Sequence, residues 1–225
     1  MTSAGFLALV GAMTCAVIAM SFRYLRRPDA QRVLWLLTAW VLYIGLLDYL
    51  GITGKSHMRP PGLTLVLVPV LLFVVWLARS NTGLRIAAAV PLALLVGLQT
   101  YRIAVELFLH QLYGEGIVPR MLTYEGANVD IIIGLTAPLA AWASTRGKIG
   151  LRLALFWNVA GLFTLVNIVI RFVLTIPGPA QLIQTPSPNL AAGTFPYMYL
   201  PGFFAPLALV LHVLAIRAIL SRKRN

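Results

Sequence analysis

Acid is scarce in this chain. Its 225 residues hold six carboxylates against 18 lysines and arginines, so recognition of cationic partners over a broad acidic surface is excluded. Cysteine is nearly absent. With Cys15 alone there is no internal disulfide framework, and this residue reads as a small helix-packing side chain. Lysine occurs only at 55, 148 and 223, none of them inside the last apolar segment, which excludes a retinal Schiff base. The chain has no P-loop, no GxGxxG after a strand, no GxSxG, no HExxH and no CxxC. Intramembrane hydrolases of the ceramidase type need several membrane histidines with acidic partners, and only His110 comes at a suitable depth here. The opening Met-Thr-Ser-Ala lacks the positive n-region of a cleavable signal.

Apolar sequence fills the space. At 60% hydrophobic and 11% charged, with a mean hydropathy of +0.86, the chain is too apolar for a soluble globule. The net charge of +12 suggests a nucleic-acid partner only until its placement is considered. The basic residues sit in short clusters between apolar runs, a pattern that records membrane orientation; nucleic acid is not an expected partner.

A hydrocarbon core of about 30 Å needs about 20 helical residues. Seven segments meet or approach this: 4–22, 33–52, 62–78, 86–112, 129–145, 151–175 and 198–220. The expected fold is therefore an all-α seven-transmembrane-helix bundle forming one domain over 1–225. With the amino terminus outside, the cytoplasmic connections and tail carry Arg23, Arg26, Arg27, Arg32, Arg79, Arg85, Arg146, Lys148, Arg152, Arg217, Arg222, Lys223 and Arg224. The opposite side has only Lys55, Arg59 and Arg120. That asymmetry places the carboxyl terminus in the cytoplasm. Short loops and the lack of large soluble domains point to a prokaryotic inner (cytoplasmic) membrane.

Two connections on the outer side are long and rich in Pro or Gly, 114–128 and 176–197, and are expected to fold as lids over the bundle. Within the first, Glu125-Gly126-Ala127-Asn128 reads as a helix stop followed by an N-cap. A short interfacial helix over Pro119–Glu125 and a new helix from Asn128 follow, with Asp130 in its first turn near the positive end of the dipole. Tyr197 and Tyr199 lie where an interfacial aromatic belt is expected. Gly134-Leu-Thr-Ala-Pro138-Leu-Ala resembles Gly202-Phe-Phe-Ala-Pro206-Leu-Ala, and Arg79-SNTG-Leu-Arg85 resembles Arg146-GKIG-Leu-Arg152. Duplicated hairpins would produce such echoes, as would chance recurrence of Gly, Ala, Leu and Pro.

Four of the six carboxylates, Glu106, Glu115, Glu125 and Asp130, fall between Tyr101 and Asp130. Arg102, Glu106 and His110 recur every fourth residue and so share one helix face. Counting about 1.5 Å per residue from the cytoplasmic starts, Asp48, Arg102 and Asn167 come about 21–24 Å in, one polar layer in the outer third of the membrane. Glu106 and Arg171 follow one turn higher, His110 higher still, and Glu125 and Asp130 lie at the mouth. A charge in the bilayer costs about 2.5–3.5 kcal/mol, so these groups should pair or face water. Arg102 with Glu106, and Asn167 with Arg171, can pair within one helix, and a structural clasp would need no more. The acids still outnumber Arg102 and Arg171, which favours a binding role. The expected ligand-binding set is Asp48, Arg102, Glu106, His110, Glu125, Asp130, Asn167 and Arg171. Asn158 and His212 are the only polar stepping stones in the inner half. Glu106 and His110 could supply two metal ligands, but a third is guesswork, so no metal site is assigned, and the cofactor is unknown at this point.

Three functions fit. The leading expectation is binding and transport of a small polar or cationic solute or lipid-like molecule from outside. In the second, an enzyme acts on a lipid-like substrate at the outer leaflet, with Glu106 or Asp48 as base, His110 as proton shuttle, and Arg102 and Arg171 holding an anionic group. In the third, the chain is a subunit of a homo-oligomer or larger membrane complex, using the small-residue faces Ala137, Ala141 and Ala140, Ser144. Membrane lipids are partners in all three.

Overall fold

The computed structural model describes residues 2–179 and 181–222; Lys223 and Arg224 of the basic tail lie outside the described residues. Among the described residues the fold is all-α, with eight helices: α1 (Thr2–Tyr24), α2 (Arg27–Tyr49), α3 (Thr64–Arg79), α4 (Asn81–Ala89), α5 (Leu92–Gly114), α6 (Asp130–Ala143), α7 (Gly147–Thr175) and α8 (Leu200–Arg222). Five of them, α1, α2, α5, α7 and α8, are long and apolar enough to cross a membrane. The bent pair α3–α4 makes a sixth if counted as one span, and α6 is apolar but only 14 residues long. Large apolar side chains face outward, including Trp35, Leu72, Leu139, Phe156 and Phe163, while Gln99, Arg102, Glu106, Asn158 and His212 are buried. A surface so apolar around a polar interior suits lipid as the surrounding solvent. By helix length and hydropathy this is a multi-pass membrane protein.

Segment 86–112 is not one helix. Ser80 caps α4 by accepting from the Gly83 amide at 3.0 Å, α4 turns 75° away from α3, and the chain breaks again at Val90-Pro91, where proline suits the entry to α5. Arg217 on α8 holds the first corner by donating to the Leu77 and Ser80 carbonyls at 2.6 and 2.7 Å. At that end of the bundle the α1–α2 turn, α4, the α6–α7 turn and the end of α8 gather the arginines. The expected helix over Pro119–Glu125 is only a 3₁₀ turn, Arg120–Leu122, and α6 begins at Asp130 rather than Asn128. The Asn128 side chain caps it from one residue further out, accepting from the Asp130 amide at 3.1 Å.

The prolines explain how α2 is attached. Pro69 and Pro206 lack the N–H that would serve the carbonyl four residues earlier, which orphans Leu65 and Gly202. Both carbonyls are served from α2: Tyr43 donates to Leu65 at 3.1 Å and Trp40 to Gly202 at 2.9 Å. Tyr199 adds a third tie in the same half, donating to the Val41 carbonyl at 2.9 Å. Gly202 sits in a π-helical opening of α8, Leu200–Phe204, whereas its sequence counterpart Gly134 lies in regular helix. Tyr197 and Tyr199 are therefore buried ties rather than interfacial belt residues, Tyr197 bonding Ser3 at 3.0 Å. The small faces are also used within the chain: Ala137, Ala140 and Ser144 are buried, and Ala141 packs near Gly97. The two lid segments meet where the Leu190 amide donates to Ile117 at 2.8 Å.

Candidate functional site

Arg102 lies ten residues into α5 and Asn158 eleven into α7, while His212 lies ten from the end of α8. At about 1.5 Å per residue, all three therefore come about 15–17 Å from the arginine-rich end, at one level of the bundle. They are bonded in series. Arg102 Nη1 donates to His212 Nε2 at 3.1 Å, and His212 Nδ1 to Asn158 Oδ1 at 2.9 Å. Asn158 Nδ2 faces the Ala154 carbonyl at 2.7 Å, which can only accept. Asn158 must then offer its oxygen to the imidazole, and Arg102, which has only donors, takes the other nitrogen as acceptor. The imidazole is thereby a neutral Nδ1–H tautomer that aims the guanidinium. Gly161 makes room for the ring, since a Cβ there would lie 2.6 Å from His212 Nε2.

Arg102 forms a buried ion pair with Asp130 at the start of α6. The approach of α5 and α6 depends on Gly134, where a Cβ would come within 2.9 Å of the Ile103 backbone nitrogen. Glu106, expected to pair with Arg102 along the helix, is instead held by Asn128, whose amide donates to Oε1 at 2.6 Å and to the Leu122 carbonyl at 3.1 Å. Among the described residues, Glu106 Oε2 and Asp130 Oδ1 are buried with no hydrogen-bond partner. Both residues line one cavity of about 60 Å³ between α5, α7, α8 and the first lid. Its remaining wall is largely aliphatic and aromatic, with Leu109, Leu165, Phe172 and Phe204 among the contributors.

The expected site residues divide into groups. Arg102, Glu106 and Asp130 share the cavity, with Asp130 sunk into the bundle rather than at its mouth. His110 and Glu125 are half-exposed at the rim, 3.5 Å apart, with His110 stacked on Tyr124 and Glu125 also near Arg120 at 3.8 Å. Asn167 ties α7 to the lid through the Ala127 carbonyl at 3.1 Å and accepts from Arg171 at 2.8 Å, as the spacing suggested. Neither lines the cavity. Asp48 belongs elsewhere: Thr53 donates to it at 2.8 Å and the Met198 amide at 3.2 Å, a clasp between the end of α2 and the entry to α8. Asn128, read from sequence only as a helix cap, and Asn158 and His212, read only as stepping stones in the inner half, join the network although the expected ligand-binding set did not include them.

A family profile matches residues 60–220, more than two thirds of the chain. The chain belongs to the family described as a domain of unknown function, DUF8737. That match spans α3 to α8 and contains every residue of the ionic network, while α1, α2 and Asp48 fall before it. Neither the curated proteins nor the solved structures contain a match to this chain.

Proposed function

We propose that this protein is a membrane carrier whose cargo, a proton or small cation, is taken up at Glu106 and Asp130. The observation that carries the reading is a charge imbalance among buried side chains. Two carboxylates and one guanidinium meet around the cavity, the neighbouring imidazole is neutral, and one oxygen of each carboxylate lacks a partner among the described residues. With both acids ionised the site carries a net negative charge, which a proton or cation neutralises. Size supports the same class, because about 60 Å³ takes roughly four to six water molecules at about 10–15 Å³ each. In this reading the arginine-rich end is cytoplasmic, the bundle has seven crossings with α3–α4 as one and α6 as a short one, and the lids lie outside. Arg102 sets the affinity, His212 and Asn158 hold Arg102 in place, and Asn128 orients Glu106.

The test is uptake by purified protein in liposomes under an imposed pH or sodium gradient, read by a trapped pH dye or by tracer. Glu106→Gln should abolish uptake while infrared difference spectra lose one carboxyl signal. Undiminished uptake in that variant, or a lipid headgroup product in place of uptake, would overturn the assignment.

A further inference from the structure

Among the described residues, the hydrogen bonds from α2 to α3 and to α8 and its entry come from its lid-side half, through Trp40, Val41, Tyr43 and Asp48, and its other half stands away from them. The space left is an apolar groove of about 390 Å³ between α1, α2, α3, α4 and α8. Trp40, Pro69 and Phe203 close its deep end, and Leu25, Val33 and Ile86 stand at its mouth. Its length along α8, from Phe203 to Leu214, is about 16 Å at 1.5 Å per residue, close to half of a 30 Å hydrocarbon core. That is the depth of one leaflet. Basic residues flank the mouth in the chain: Arg26 and Arg27 follow Leu25 and Arg85 precedes Ile86, all three exposed. Arg32 beside Val33 is already engaged by Asp29 at 3.2 Å.

We infer that this groove holds one acyl chain of an anionic phospholipid from the adjoining leaflet, with its phosphate on Arg26, Arg27 and Arg85. A chain anchored at the interface and reaching mid-membrane matches the groove in length and polarity, and arginines favour an anionic over a zwitterionic headgroup. The site is separate from the ionic cavity and does not depend on the carrier reading.

Native mass spectrometry of the full chain, released from micelles holding equal phosphatidylglycerol and phosphatidylcholine, tests this. Wild type should retain phosphatidylglycerol with a preference of about tenfold. Arg26→Gln/Arg27→Gln/Arg85→Gln, all at exposed positions, should reduce the preference to about twofold or less. Leu36→Trp, which fills the groove from its lipid-facing side, should remove the adduct of either lipid. Phosphatidylglycerol carrying a diazirine in its chain should crosslink to α2, α3 or α8 residues of the groove. Equal retention of both lipids, an adduct unchanged by Leu36→Trp, displacement by free glycerol phosphate, or a second copy of the chain in place of lipid would each overturn the inference.

Discussion

Arg102→Met would leave Asp130 and Glu106 facing one cavity with no cation beside them, and His212 Nε2 without its donor. Arg102 and Asp130 are 3% and 5% exposed, so solvent cannot replace the lost charge. Removing one member of a buried ion pair costs about 3–5 kcal/mol. The lower end applies here, because a membrane protein's unfolded state also finds partners. About 3 kcal/mol corresponds to a fall of about 6–12 °C in Tm for a chain of this size. Asp130→Asn alone strands the guanidinium and should cost a similar amount. The double variant Arg102→Met/Asp130→Asn lacks both members of the pair, and its loss should not exceed that of Arg102→Met, giving a coupling of about 3 kcal/mol or more. Unfolding by SDS in mixed micelles, run on all four proteins, measures the cycle. If the two single losses simply add, Arg102 and Asp130 are not partners and the network described here is wrong.

Gly161→Ala places a methyl against the His212 ring; it should cost about 1–3 kcal/mol and lower uptake as Glu106→Gln does, so unchanged uptake would show that the imidazole does not position Arg102. Asp48→Asn should weaken the clasp to Thr53 and Met198 by about 1.5 kcal/mol and leave uptake alone; loss of uptake in a folded variant would return Asp48 to the site. Arg217→Met removes the donors to Leu77 and Ser80, at about 1.5–3 kcal/mol, and amide exchange should rise first across residues 77–84; exchange rising elsewhere first would refute the corner as its point of action.

Membrane character, the arginine asymmetry and the stripe of Arg102 and Glu106 could be read from the sequence because each depends on composition or a fixed helical period. The expected layer joining Arg102 to Asp48 followed from one boundary. Starting the fourth segment at residue 86 instead of Leu92 shifts Arg102 by six residues, about 9 Å along a helix. That lifted it from the level of His212 and Asn158 to that of Asp48. Pro91 held the signal, since proline at a helix entrance is common, as did Ser80, a good N-cap ahead of a short amphipathic stretch. The exchange of Glu106 for Asp130 as the partner of Arg102 had no local signal. It depends on how closely α6 approaches at Gly134, and close approach is set by tertiary packing that a single chain's periodicity does not encode.

The cavity and the groove share one wall. On α8, Phe204, Ala205 and Ala208 face the ionic cavity, while Phe203, Pro206, Leu207 and Val210 face the groove. The wall is irregular: it opens with π-helical turns at Leu200–Phe204, and Pro206 leaves a carbonyl that, among the described residues, Trp40 serves. Segments of this kind have fewer helical bonds to break when they tilt. A tilt of α8 would change the Arg102–His212 distance and the groove width together, because His212 is on the same rigid stretch. Thermodynamic linkage then requires that whatever fills the groove and whatever occupies the cavity affect each other equally if their affinities differ between two tilts. The bonds from Trp40 to Gly202, from Tyr101 to Phe204 at 2.6 Å and from Gln99 to Ala208 at 3.1 Å oppose that motion, so they set its free-energy cost.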